Sequence, residues 1–319
     1  MADLAKLAGV SAITVSRALA DSPLVNPATT LRIKALAKEH GYAFNVSARN
    51  LRLRSNRTVA VIVEMRPSHD RRMSDPYPLD LLGGISQELT SAGYCVLLAT
   101  MQSQHLPTVR AADAVILLGQ GAHEDAVEAI AQWRMPMVVW GATEARDAHV
   151  TVGGDNRRGG TLAAERFLAL GRHRIAFLGD VAHAEGAARL AGFEAMLAAH
   201  ELKPIAVTPD GFTVAAGAAA THALLERQPQ IDALFATSDL LAIGAVRALT
   251  ERGRRVPDDI SVIGYDNTPL GASYIPALTS VQQNLHEGGE LLARKALALI
   301  AGSKVASETL PTHLVVRAT

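Results

Sequence analysis

The chain carries a single cysteine, Cys95, and it sits inside an apolar run. One chain can therefore hold neither a disulfide framework nor a cysteine zinc site. No apolar run approaches the ~18 residues needed to span a membrane. No leader precedes Asp3, which predicts a cytoplasmic protein without a membrane partner rather than a secreted binding protein. Glycine is present, but not as a Walker loop, and no G-x-G-x-x-G follows a strand-like run. The eleven histidines form no H-E-x-x-H pair, and no G-x-S-x-G elbow occurs. Asp239 and Asp266 could be paired carboxylates of a hydrolase or oxidoreductase, but no nucleophile or cofactor loop accompanies them. The expectation is a protein that is not an enzyme and uses no metal and no cofactor.

Charge is balanced only on average. The chain has 31 Lys and Arg against 31 Asp and Glu. Residues 1–58, however, hold nine basic and three acidic groups, a net +6, which leaves −6 on residues 59–319. A basic head on an acidic body suits phosphate contacts and counterion release.

The head has helix-turn-helix anatomy. Ala5 leaves room where two helices cross, and Gly9 can take the positive φ of a tight inter-helix turn. Ser11 is a good N-cap for the second helix, and Val10, Val15 and Leu19 would seat that helix on the first. Ser11, Ala12, Ile13, Thr14, Ser16 and Arg17 then lie at its N-terminal face, the part of a recognition helix that meets base edges. Asn26-Pro27 starts a third helix, with Ile33, Leu36, Ala37 and His40 on one face and Gly41 closing it.

The strings Ala8-Gly9-Val10-Ser11 and Thr14-Val15-Ser16-Arg17, then Gly41-Tyr42, Asn45, Ala48 and Leu51, resemble the lactose/galactose-repressor (LacI/GalR) family of bacterial transcription regulators. The likeness continues to Leu310-Pro311 and Leu314-Val315-Val316-Arg317 and covers essentially the whole chain. It implies a DNA-binding head over 1–44, with Tyr42 among its contacts, and a hinge helix and linker over 45–57 that orders on operator DNA. Asn45 and Ala48 would accompany Leu51, the apolar wedge entering the minor groove, where unstacking a base step bends the duplex. One departure is that the first helix begins almost at Met1 without a capping residue. That predicts a start codon further upstream.

Residues 59–319 alternate short apolar runs with amphipathic stretches. Val59–Val63, Val96–Ala99, Ala114–Leu118, Met137–Trp140, Arg174–Leu178, Leu234–Ala236 and Ser261–Tyr265 read as buried parallel strands. Such alternation predicts an α/β protein with doubly wound parallel sheets. The resemblance divides the body, 58–319, into two subdomains of periplasmic-binding-protein type, one from 58–153 and 285–311 and the other from 154–281 and 313–319. The short segment Thr100–Ala112, with Pro107, has room for only a stub of helix.

Ligands of open α/β folds bind beyond the carboxyl ends of strands. The candidates are Glu64, Asp75, Tyr77, Trp140, Arg189, Phe212, Ser238, Asp239, Asp266 and Gln283. By resemblance, Arg189 and Asp266 would hydrogen-bond an effector, one donating to sugar hydroxyls and the other accepting from them. Tyr77, Trp140 or Phe212 would stack on its ring. Ser238 stands where some relatives place an asparagine, and Gly141 where some place an aspartate. The expected partners are pseudo-palindromic operator DNA, a sugar or glycoside effector, and a second copy in a homodimer. The alternative from another class is a cytosolic sugar-binding module with a degenerate head.

Overall fold

The computed structural model describes residues 2–19, 22–42, 56–64, 73–143 and 149–319. They form two compact units, Met1–Asn56 and Arg57–Thr319.

In the first unit, α1 (Ala2–Leu7), α2 (Ala12–Leu19) and α3 (Pro27–Glu39) surround a small core of Leu4, Ala5, Ala8, Val15, Ala18, Val25, Ile33 and Ala37. Gly9 turns the chain between α1 and α2 at φ +62°, a value that penalises any residue with a Cβ. Asn26 caps α3, its Oδ1 accepting from Ala28 N at 2.8 Å, with Pro27 at the first helical position. Arg32 ties α3 to the end of α1, its Nη2 donating to the Ala8 carbonyl at 2.9 Å. His40 does not join the apolar face with Ile33 and Ala37. It is the C-cap residue of α3 and is exposed, because the helical twist has ended there.

The second unit holds two sheets, each six-stranded among the described residues. The first contains β1 (Thr58–Val63), β2 (Cys95–Thr100), β3 (Ala114–Leu118), β4 (Met137–Trp140), β5 (Val150–Gly154) and β11 (Glu308–Leu310) in the order β11-β5-β4-β3-β1-β2. The second contains β6 (Ile175–Leu178), β7 (Ile205–Val207), β8 (Ala233–Ala236), β9 (Ser261–Tyr265), β10 (Thr279–Gln282) and β12 (His313–Val315) in the order β12-β10-β9-β8-β6-β7. Every pairing is parallel except β10 with β12. Central strands such as Ala114–Leu118 are buried along their whole length, as parallel strands covered on both faces must be.

Helices α4 (Pro76–Ser91), α5 (Pro107–Arg110), α6 (Asp125–Ala131) and α12 (Leu285–Ile300) belong to the first lobe. Helices α7 (Asn156–Ala169), α8 (Ala184–Ala198), α9 (Val214–Arg227), α10 (Asp239–Glu251) and α11 (Pro269–Ser273) belong to the second. The stub expected in Thr100–Ala112 is α5, preceded by one 3-10 turn at Met101–Ser103. The chain passes between sheets after Gly154, after Gln282 and after Leu310. These crossings bring the carboxyl ends of both sheets to one cleft.

Strands β5, β7, β10, β11 and β12 were not among the expected apolar runs. In β5 the reason is close approach. A Cβ on Gly153 would collide with the carbonyl of Gly141, so that strand carries glycine where an apolar side chain would have marked it.

Candidate functional site

On the head, Ser11 caps α2. Its Oγ accepts from Thr14 N at 3.1 Å and lies 2.9 Å from Thr14 Oγ1. Ser11, Ala12, Ile13 and Arg17 are exposed, while Thr14 and Ser16 are half-buried. Ile13 is 58% exposed, an apolar side chain that the head core leaves outside. Tyr42 is half-buried and packs on the head core. Asn45, Ala48 and Leu51 lie outside the described residues.

In the body, a cavity of about 780 Å³, counting its open mouth, lies between the lobes. Of the candidates, it collects Glu64, Tyr77, Arg189, Phe212 and Asp266. Arg189 rises from α8 and is 8% exposed. Its Nε donates to Asn156 Oδ1 at 2.9 Å and its Nη1 to the Thr237 carbonyl at 2.6 Å. The guanidinium lies over the ring of Tyr265, 3.6 Å from its centroid. Complete burial pushes the Tyr265 hydroxyl up to about 12, against the lowering effect of the Arg189 charge. Nε and Nη1 are thus committed to Asn156 and Thr237, while the guanidinium as a whole lines the cavity.

Asp266 follows β9 with φ +97°, a region that residues with a Cβ rarely enter. The strained backbone is held by Asp266 N–H donating to the Val281 carbonyl at 2.8 Å and Asn267 N–H donating to Ser280 Oγ at 3.0 Å. Such strain is found where a side chain has to be aimed. Asp266 Oδ1 accepts from Gln283 Nε2 at 2.6 Å.

Five expected effector contacts do not line this cavity. Asp75 caps α4, accepting from Tyr77 N at 3.0 Å. Trp140 is core: it is 2% exposed, packed among the residues under the first sheet and pressed against Gly288 of α12. Ser238 caps α10, accepting from Leu241 N at 3.3 Å. Asp239 is 1% exposed and clamps the 266–268 turn to β10, accepting from Thr268 N at 2.6 Å, Thr268 Oγ1 at 2.9 Å and Ser280 Oγ at 2.6 Å. Burial outweighs these bonds and pushes its carboxyl up to about 6. Gln283 reaches Asp266 rather than the cavity wall.

The cavity instead includes residues the sequence reading passed over: Gln120, Asp180, His183, Glu185 and Thr237. Gln120, Asp180 and Thr237 each come within two residues of a strand's carboxyl end, so the rule that picked Asp266 would have found them. Gln120 is 4% exposed and pairs with the backbone of Ala142, accepting from its N–H at 2.9 Å and donating to its carbonyl at 3.4 Å. His183 Nδ1 lies 3.1 Å from Asp180 Oδ2, and its ring stands edge-on to Phe212 at 5.3 Å. Loops also join the lobes here. Ala122 and His183 form an isolated antiparallel bridge, and His123 N–H donates to the Ala182 carbonyl at 2.9 Å.

Among the described residues, no group of three or more His, Cys, Asp or Glu gathers as a metal site, and no helix is long and apolar enough to cross a membrane.

Two family models match the chain. Residues 1–45 match the bacterial regulatory proteins of the lacI family, and residues 164–319 match a periplasmic binding protein-like domain. The HTH-type transcriptional regulator CelR of Thermobifida fusca is 34% identical, over 98% of this chain and 96% of that protein. A solved CelR–cellobiose complex superposes with a TM-score of 0.76 at 31% identity, covering 99% of this chain and 98% of that one. The lac repressor dimer bound to operator and the anti-inducer ONPF superposes with a TM-score of 0.88 at 26% identity, covering 99% and 97%. A capped second helix on a basic head, a cavity lined by Arg189 and Asp266 between two parallel-sheet lobes, and likeness over nearly the whole chain to such regulators lead to one assignment: the chain belongs to the lacI family of bacterial regulatory proteins, a family of DNA-binding transcriptional regulators.

Proposed function

We propose that the protein is a homodimeric repressor whose operator affinity is set by a neutral sugar or glucoside held between the lobes. The observation that carries this reading is the pairing of Arg189 with Asp266 on one cavity: one side chain only donates hydrogen bonds, the other only accepts them. A sugar hydroxyl does both, so adjacent hydroxyls suit the two groups together. Tyr77 and Phe212 supply apolar surface for the C–H face of a ring. Cellobiose in the CelR complex and the sugar named for the ribose operon repressor of Halalkalibacterium halodurans point the same way.

On the DNA side, Arg17 would read guanine, while Ala12 and Ile13 make apolar contacts, for example with thymine methyl groups. Ser11, Thr14, Ser16 and Tyr42 complete that surface, with Asn45, Ala48 and Leu51 acting at the hinge. Two heads on a dimer would address the two halves of a pseudo-palindrome. Sugar-driven closure of the cleft changes the spacing of the hinges and so couples the two sites.

A thermal-shift screen of mono- and disaccharides, repeated with DNA from the protein's own upstream region, tests this. The expected hit raises the melting temperature of the protein and changes its affinity for that DNA. A screen in which no neutral sugar does either removes the sugar reading.

A further inference from the structure

Arg189 and Asp266 are each tied by a side-chain amide to a different crossing between the lobes. Asn156 Oδ1 accepts from Arg189 Nε at 2.9 Å, while its Nδ2 donates to the carbonyl of Gly154, the last residue of β5, at 3.1 Å. Gln283, just past β10 in the second crossing, donates from Nε2 to Asp266 Oδ1 at 2.6 Å. The third crossing closes onto the first. Thr312 Oγ1 donates to the Asp155 carbonyl at 3.1 Å, and the bare Cα of Gly154 packs between the Gln283 and Thr312 side chains. Both amides are buried, Asn156 at 5% and Gln283 at 4% exposure.

The orientation of each amide is fixed by its partners. A guanidinium can only donate and a carbonyl can only accept, so Asn156 must present oxygen to Arg189 and nitrogen to Gly154. Gln283 must likewise turn its nitrogen to the Asp266 carboxylate. At these burials, breaking either bond costs the desolvation of any amide group that water does not reach. A ligand that draws on Arg189 or on Asp266 therefore acts, through one amide, on backbone that joins the lobes.

We propose that Asn156 and Gln283 are positioning residues that transmit ligand contact at Arg189 and Asp266 to the crossings, and so to the angle between the lobes. This rests on the interlobe cavity being the effector site. Asn156 both aims the guanidinium and holds the first crossing. Gln283 aims the carboxylate from the second.

Asn156→Asp separates the two halves of that role. It keeps an oxygen for Arg189 but sets a second oxygen against the Gly154 carbonyl, whereas Asn156→Ala removes both bonds. The test uses full-length protein with cellobiose as the probe. Calorimetry reads sugar affinity, and fluorescence anisotropy on the protein's own upstream DNA reads operator affinity with and without cellobiose. Asn156→Asp is expected to hold cellobiose within about threefold of wild type, yet to lose about fivefold or more of the change in operator affinity that cellobiose produces. Asn156→Ala is expected to weaken cellobiose itself by about tenfold or more. An unchanged cellobiose effect on operator affinity in Asn156→Asp overturns the proposal.

If wild type does not take cellobiose, the sugar reading of the cavity has failed for that probe. The proposal is then judged on sugar-free operator affinity, which shifts by about threefold or more in Asn156→Asp if the amide sets the crossing; an unshifted value overturns it. Gln283→Met keeps the side-chain length and drops the bond to Asp266. It is read in the same two assays, so an unfolded Asn156 variant does not end the test: coupling lost supports the proposal, and coupling kept overturns it.

Discussion

The ring of Trp140 packs against the bare Cα of Gly288, so closely that a Cβ on Gly288 would overlap it. This contact seats α12 on the first sheet and makes the tryptophan part of the core rather than of the cavity wall. Gly288→Ala should force the ring or the helix aside, at a cost of about 1–3 kcal/mol. In a body of this size, thermal melts should record a fall of roughly 2–10 °C. Trp140→Phe should also lower the melting temperature while leaving sugar affinity within about twofold. A large loss of sugar affinity with an unchanged melting temperature would return Trp140 to the ligand.

Asp239 makes stability depend on pH in an unusual direction for a carboxylate. Burial raises its carboxyl from 3.8 to about 6 in the folded protein. Between those values the native state binds more protons than the unfolded chain, so stability falls as pH rises. The contribution is fully present below pH ~4 and is lost as pH rises through about 6, with an upper limit of about 3 kcal/mol. Asp239→Asn keeps the shape and removes the titration. Denaturant unfolding of wild type and variant at pH 4.5 and 7.5 should show the stability difference moving in the variant's favour at the higher pH. A pH-independent difference would contradict the assignment.

The core strands were legible because parallel strands covered on both faces must be continuously apolar, as in Val59–Val63 and Ala114–Leu118. β5 was not, since the close approach of Gly141 requires Gly153 to be bare. At the cavity, a residue after a strand can face a ligand or cap the next helix, and the two share one pattern. Thr237, Ser238 and Asp239 follow the same strand, yet only Thr237 lines the cavity, while Ser238 caps a helix and Asp239 pins a turn. Composition and spacing cannot separate those outcomes, because they depend on where the neighbouring turn delivers its donors. Arg189 and Asp266 stood out through family likeness. Asn156 sits in the first turn of a helix, where polar residues are common, so its sequence position does not reveal its bond to Arg189.

Leu51 is the residue on which the hinge reading turns. If Leu51 is the minor-groove wedge, Leu51→Ala should lose specific operator affinity, because the side chain that would kink the duplex is removed. Non-specific binding through the basic head should persist, with its steep dependence on salt. Anisotropy titrations on operator and random DNA at two salt concentrations separate these effects. Equal operator affinity in variant and wild type would sink the hinge assignment.

Gly141 and Gln120 share one space. Any side chain at 141 would collide with the Gln120 amide, which is itself held by the Ala142 backbone. Gly141→Ala alone should therefore destabilise the first lobe by about 1–3 kcal/mol. Shortening Gln120 to Ala vacates that space but leaves the Ala142 N–H and carbonyl without their partner, costing a similar amount. The double variant should cost less than the two single costs combined, since the methyl at 141 now occupies space that Gln120→Ala left empty. Residues in contact commonly show interaction energies of about 0.5–3 kcal/mol in such a cycle. Denaturant unfolding of the four proteins measures it. Simple additivity would mean that the two positions do not compete, and an aspartate at 141 could then coexist with glutamine at 120. With strong coupling, the chain can carry a polar group on this wall from position 120 or from position 141, but not from both.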